Sequence, residues 1–348
     1  MFRTRFGSST NDNAGLYNKG GVSIKRSTPA EVASASTDVA AVSIKPWKRI
    51  AISVIAVIAM VIIALFSLSG CGSSNTKASS SSGSSSSSSA EPVSTMPLDD
   101  YSWEELSEIS EEIAKAPNEG AAIEVAKKYK LTTEDGRLDG TQAKSVTLSD
   151  GTQTTVQIAG FWHDDKADGG KAGITFIFGD CISKREMNPS DTNAGGWEKS
   201  RMRSYLDSEG LDLLPDDLRQ KIVSVKKLTN NVGGETKSTS SVTSTSDRLW
   251  LFSQTELSGT IRLNSNYAYH AAYEDVLNAQ GSQYKLFRDT NVRQGCNDIL
   301  VKKLSAPSGW WERSPIWAHS DGFGYVDWQG DPDNSGYGSY GVVPGFCI

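Results

Sequence analysis

Between Ile50 and Leu68 the chain is almost wholly apolar, and Ser69-Gly70-Cys71 and a serine tract follow directly. About twenty apolar residues cross the ~30 Å hydrocarbon core as a helix, because only a helix satisfies all its own backbone hydrogen bonds there. Residues 50–70 are therefore expected to form a transmembrane helix or a signal. The rest of the chain must fold around that constraint.

The flanking charge sets the expected orientation. Lys45, Lys48 and Arg49 abut the run, and residues 1–49 hold eight basic against three acidic residues, a net +5 that leaves −11 of the whole-chain −6 beyond the membrane. By the positive-inside rule residues 1–49 form a basic, disordered cytoplasmic segment. The expected localisation is the cell membrane, with the carboxyl-terminal domain extracytoplasmic. An acidic exported part argues against nucleic acid or an anionic lipid surface as partner, since both need basic residues to offset phosphate charge.

Leu68-Ser69-Gly70-Cys71 resembles the bacterial lipobox, in which a lipid is attached to the cysteine and the chain is cut before it. The resemblance implies lipidation of Cys71. The amino-terminal region is longer than an ordinary signal, which keeps a retained transmembrane anchor as the alternative. The expected membrane partner is thus contacted through residues 50–70 or through lipid on Cys71.

Residues 71–97 are mostly serine, a composition that cannot bury enough apolar surface to offset the entropy of ordering. They are expected to be a disordered linker with a root-mean-square reach of roughly 25 to 30 Å. After it, Ser102 with Glu105 fits a capping box, and Trp103, Leu106, Ile109 and Ile113 recur at helical spacing. A second helix is expected from Asn118, with Ala122, Val125, Ala126 and Tyr129 on one face. Together they make a helical hairpin over 98–131.

From Thr141 the pattern shifts toward period two. Strands are expected over Thr154–Ile158, Gly173–Phe178, Arg248–Ser253, Phe323–Trp328 and Gly341–Ile348, with helices over Trp197–Leu206 and from Pro215 to Lys227, and a long exposed loop over Gly233–Ser246. Helices among mostly antiparallel strands, without βαβ alternation, indicate an α+β domain over 141–348.

Five ordered motifs carry a resemblance: Gly196-Trp197-Glu198-Lys199-Ser200-Arg201-Met202-Arg203, Leu213-Leu214-Pro215-Asp216-Asp217-Leu218, Leu249-Trp250-Leu251-Phe252-Ser253, Trp310-Trp311-Glu312-Arg313-Ser314-Pro315 and Gly341-Val342-Val343-Pro344-Gly345-Phe346. They resemble a bacterial family of uncharacterised surface-protein domains ending in W-x-R-S-P and G-V-x-P-x-F segments. That family is distantly similar to the C-type-lectin-like fold of formylglycine-generating enzymes, which implies a C-type-lectin-like domain here. Formylglycine-generating relatives need two nearby late cysteines, whereas Cys296 and Cys347 lie far apart and carry no such motif.

Trp310, Trp311 and Arg313 are expected to wall the core, the guanidinium tied to a carboxylate or carbonyls. Trp317, Tyr325, Trp328, Tyr337 and Tyr340 crowd a glycine-rich stretch, the composition of an adaptable binding surface. With Asp331, Asp333 and Asn334 they form the candidate ligand-binding set. Residues 331–336 also place oxygens at alternate positions with Gly336 sixth, as a calcium loop does, but Val342 stands where a bidentate Glu is required. A solvated turn is the first reading there, calcium the alternative. Residues 164–169 fail similarly, with Lys166 in third place, and read as a second solvated turn.

No G-x-S-x-G elbow, Walker loop, H-E-x-x-H or paired C-x-x-C occurs, and His163, His270 and His319 lack metal-ligand spacing. No catalytic residues, metal ligands or cofactor are assigned. An exported chain with Cys71 lipidated retains Cys181, Cys296 and Cys347, with a Cys296–Cys347 bridge as the first expectation. Non-catalytic binding of a glycan or protein at the cell surface is the function expected. An enzyme of formylglycine-generating-like fold and a purely structural envelope protein are the alternatives.

Overall fold

The computed structural model describes residues 96–263, 269–332 and 334–348. The expected cytoplasmic segment, membrane or signal helix, Cys71, nearly all of the linker and Asp333 lie outside the described residues. Among the described residues no helix is long and apolar enough to cross a membrane.

The helical hairpin opens the domain. Helix α1, Trp103–Ala114, carries the capping box at Ser102, and α2, Glu119–Lys128, is capped by Asn118. The apolar stripe of α1 packs on the sheets, with the Trp103 ring edge-on to Phe176 at 5.7 Å and to Phe346 at 6.2 Å. Ser110 of α1 donates to the carbonyl of Ile348 and accepts from Ile174 N. The hairpin is part of the core.

Strands β1 (Ala143–Thr147), β2 (Gln153–Phe161), β3 (Ile174–Phe178) and β13 (Gly345–Cys347) form an antiparallel sheet in the order β1-β2-β3-β13. A second sheet has the order β11-β10-β9-β12-β4, built from β4 (Ser183–Glu186), β9 (Trp310–Pro315), β10 (Phe323–Val326), β11 (Asn334–Gly336) and β12 (Ser339–Val342). Within it only β9 and β12 run parallel. Short ribbons β5 (Val225–Asn230) with β6 (Val242–Asp247) and β7 (Lys302–Lys303) with β8 (Pro307–Ser308) complete the strands. Helices α3 (Arg201–Tyr205), α4 (Asp216–Arg219), α5 (Gln254–Ser258), α6 (His270–Asn278) and α7 (Lys285–Asp289) fill the connections. The class is α+β, as expected.

Several expectations are corrected. The helix expected from Pro215 to Lys227 stops at Arg219, because Val225 enters β5 and pairs with Asp247. Its partner β6 comes from the serine and threonine tract expected to be a loop, where β-branched threonines suit a half-solvated ribbon. The helix expected from Trp197 begins only at Arg201 and continues as a π turn over Leu206–Gly210. Arg248–Ser253 is no ladder strand; Trp250 alone bridges Gly345. The terminal strand is split: Pro344 has no N–H to give, and the chain passes there from one sheet to the other. The Cys296–Cys347 bridge is absent, since Cys181, Cys296 and Cys347 are all free. Cys347 is sealed in the core beside Thr175, whereas Cys296 is exposed.

A charged cluster occupies the centre. Arg313 is fully buried and grips both oxygens of Glu256, with Nη2 to Oε1 at 2.8 Å. It also donates to the carbonyls of Leu251, Leu228 and Gln280 and to Thr229 Oγ1. Lys227, 2 % exposed, pairs with Asp164 and Glu256, and Tyr284 and Thr175 donate to Asp164. Asp164 is thus a core residue, not part of a solvated turn. The chain reaches it through Trp162, whose φ of 55° is rare for a bulky side chain. Gly160 in β2 allows the close approach of Tyr284, whose ring a Cβ there would meet at 3.3 Å.

Arg313→Ala would leave the buried Glu256 carboxylate with Lys227 alone and strip its bidentate partner, and unfolding in denaturant should show a loss of about 3 kcal/mol. Burial alone would raise the Glu256 pKa, but Arg313 and then Lys227 overcome it and hold the carboxyl below its ordinary value. The folded pKa therefore lies under the unfolded one of about 4.3. The associated stability is fully present above that pH and drains away as pH falls below it. Denaturation midpoints recorded from pH 7 to pH 3 should bend downward near that value.

Candidate ligand-binding site

The second sheet carries most of the aromatic set. Tyr325 of β10 and Tyr340 of β12 stack at 4.2 Å between ring centres, and Trp311 of β9 meets Tyr340 edge-on at 4.8 Å. Glycine makes this closure feasible: a Cβ on Gly336 would lie 2.8 Å from Trp311 and 2.9 Å from Tyr325. The Trp311 indole donates to the Arg185 carbonyl at 2.8 Å, which ties the platform to β4. Burial, and then the neighbouring Tyr340 hydroxyl, push the Tyr325 phenol up to about 12.

Beside the platform lies a cleft of about 180 Å³. One wall is the segment from Glu186 to Thr192, and the other is Asp321 to Phe323 with Trp311; Gly336, Tyr337 and Gly338 form a lip. Tyr337 is 46 % exposed over this opening. Burial of its hydroxyl, and then Asp321, raise the Tyr337 phenol. Glu186, Asp191 and Asp321 make the lining acidic, and no Lys, Arg or His contributes to it.

Asn193, 1 % exposed, holds the two walls in register. Its amide donates to the carbonyls of His319 at 3.0 Å and Gly322 at 2.8 Å, its oxygen accepts from Gly234 N at 3.1 Å, and its own N–H reaches Ser320 O at 2.9 Å. Asn188 fixes the same wall by accepting from Arg201 N and donating to Thr192 O. Asn193 does not stand out in the sequence, because no local pattern marks a side chain that bonds across more than a hundred residues.

The expected ligand set is divided by the fold. Tyr325 and Tyr340 stack in the platform, and Tyr337 lines the cleft beside it. Trp317 lies elsewhere, packed on His270 at 5.0 Å and Tyr273 at 5.6 Å beside α6. Trp328 is 60 % exposed on a tight turn in which Asp327 Oδ1 accepts from Gln329 N and Asp331 N. Asp331 buttresses that turn by accepting from Gly295 N. Asn334 enters β11 opposite Tyr325. Sequence reasoning missed Trp311, Glu186, Asn188, Asp191 and Asp321 as cleft residues; only Trp311 had a signal, read as core.

Fold and cleft together define an α+β domain with an aromatic, acid-lined depression at the edge of a mixed sheet. The chain belongs to the family described as Domain of unknown function (DUF6273), which matches residues 172–348. The match begins just before β3, so β1, β2, Asp164 and the helical hairpin are structural parts of this domain beyond the matched segment. No curated protein and no solved structure matches the chain.

Asn193→Ala leaves two buried carbonyls and one N–H unmet, and should lower stability by about 2 to 3 kcal/mol. Gly336→Ala should instead disturb the platform locally. Its signature would be a changed near-ultraviolet circular dichroism spectrum with the far-ultraviolet spectrum retained.

Proposed function

We propose that this chain is a membrane-anchored, extracytoplasmic bacterial protein whose carboxyl-terminal domain binds a glycan or protein ligand without turning it over. The observation that carries the reading is the cleft itself, where Tyr337 and Trp311 adjoin Asn188, Ser190, Thr192 and Asp321. Aromatic faces stack on the apolar face of a sugar ring or on a side chain, while short polar groups satisfy the ligand's hydroxyls or amides. A volume of about 180 Å³ is below the ~300 Å³ at which pockets enclose drug-sized ligands. One sugar ring or one side chain is the matching size.

Binding is favoured over turnover by where the reactive groups lie. Cys347 and Asp164 converge, but both are buried against Thr175, away from the cleft. The C-type-lectin-like relationship, distant from formylglycine-generating enzymes, belongs to this proposal, as does delivery to the outer face by residues 50–70 or lipid on Cys71 through the serine-rich linker. The acidic character of the exported part accords with a neutral or cationic ligand rather than nucleic acid.

Glycan arrays and pull-downs with the full chain, with and without calcium, test the reading. Tyr337→Ala should weaken any captured ligand by about 1 kcal/mol or more, roughly fivefold, without changing the melting temperature. Silence in both assays, or binding indifferent to Tyr337→Ala, counts against the cleft as the site.

A further inference from the structure

Lys227 Nζ lies 2.8 Å from Asp164 Oδ1 and 2.7 Å from Glu256 Oε1, with all three side chains no more than 3 % exposed. The contact joins distant parts of the chain, since Asp164 follows β2 and Lys227 is in β5. Their backbones are held side by side by Lys226 N donating to Asp165 O at 2.8 Å. The rings of Trp250 and Tyr284 cover the amine at 4.7 Å and 5.2 Å. An amine and a carboxyl are thus locked in contact in a site that excludes water.

The two carboxylates keep different company. Arg313 grips Glu256 by both oxygens, which fixes its carboxylate against Lys227 Nζ. Asp164 has no guanidinium partner. Tyr284 OH donates to its two oxygens at 2.8 and 2.9 Å, and Thr175 Oγ1 donates to Oδ2 at 2.7 Å. Donors so placed stabilise the negative charge that develops on oxygen when a carboxyl carbon is attacked.

We infer that Lys227 and Asp164 condense into an intramolecular amide, with Glu256 as the proton carrier. Glu256 relays a proton from the ammonium to Asp164, so that a neutral amine faces a neutral carboxyl and the Nζ lone pair attacks Asp164 Cγ. A C–N bond forms while the Tyr284 and Thr175 hydroxyls hold the developing oxyanion. The protonated carboxyl oxygen then leaves as water, taking one further proton from the nitrogen, and Glu256 ends as the carboxylate it began. Ammonium plus carboxylate become amide plus water, so charge balances and no oxidant or reductant is needed. The driving force is electrostatic: an ion pair in a dry core is costly, and the product is a neutral amide with the water released to solvent. Contact geometry supplies the proximity that a bimolecular condensation lacks. Since all described cysteines are free, this amide would be the covalent staple among the described residues, closing the span from Asp164 to Lys227.

Mass spectrometry of the full chain, purified after folding, tests the inference. Relative to the Lys227→Arg variant, and after correction for the substitution, the native chain should be lighter by one water molecule. A denatured tryptic digest should contain a branched peptide joining the Asp164 and Lys227 segments, with no cleavage after Lys227. In Asp164→Asn the same linkage would release ammonia, so the loss should change from one water to one ammonia. A folded native chain of full mass that trypsin cleaves after Lys227 would falsify the inference. A water loss mapped to Glu256, or to an imide at Asp164 itself, overturns it equally.

Discussion

The bidentate grip of Arg313 on Glu256 holds the domain together. A guanidinium has five donors and no way to lose its charge, so burying one forces the surrounding chain to bring acceptors to it. Here five residues from four separate places supply them: Glu256 in α5, Leu228 and Thr229 in β5, the Leu251 carbonyl, and Gln280 after α6. Lys227 then extends the network through Asp164 to the end of β2. The β5 ribbon, the end of β2 and the helices α5 and α6 are thereby tied to one strand, β9.

That strand also positions the surface. Two residues before Arg313, Trp311 forms the inner edge of the aromatic platform and borders the cleft. A cation anchored in the core and an indole at the surface are thus held at fixed spacing by one strand. Asn193 completes the arrangement from outside by hydrogen-bonding the loop after β9 to the loop after β4. The cleft is preorganised, which reduces the entropy lost when a ligand is immobilised.

Legibility in the sequence followed the range of the interactions. The hairpin was readable because Ser102, Glu105 and the stripe from Trp103 to Ile113 act within a few residues of one another. Strands β2, β3 and β10 were readable because aromatic and branched side chains declare extended backbone locally. Lys227 was misplaced on a helix because Leu218, Ile222 and Val225 recur at helical spacing and a lysine pair suits a helix end, whereas its position is dictated by Asp164, 63 residues away. The threonine and serine run of β6 looked like loop for the same reason, since its pairing partner is β5. The ligand set was half legible: Tyr325, Tyr337 and Tyr340 converge, but composition could not separate them from Trp317, whose partners His270 and Tyr273 are supplied by α6.

By itself the sequence determined the quantities that depend on local composition: the apolar run over residues 50–68, the serine-rich stretch after it, the helical hairpin and the α+β class. It also marked Arg313 as a guanidinium needing buried acceptors, since tryptophan neighbours imply the core. Only the tertiary structure decided which carboxylate answers it, that Pro344 divides the last strand between two sheets, and that Cys347 is sealed beside Thr175 instead of bridged. The physical reason is that propensity and periodicity act over a turn or a strand, whereas charge pairing and register are settled by whichever distant segment packs alongside.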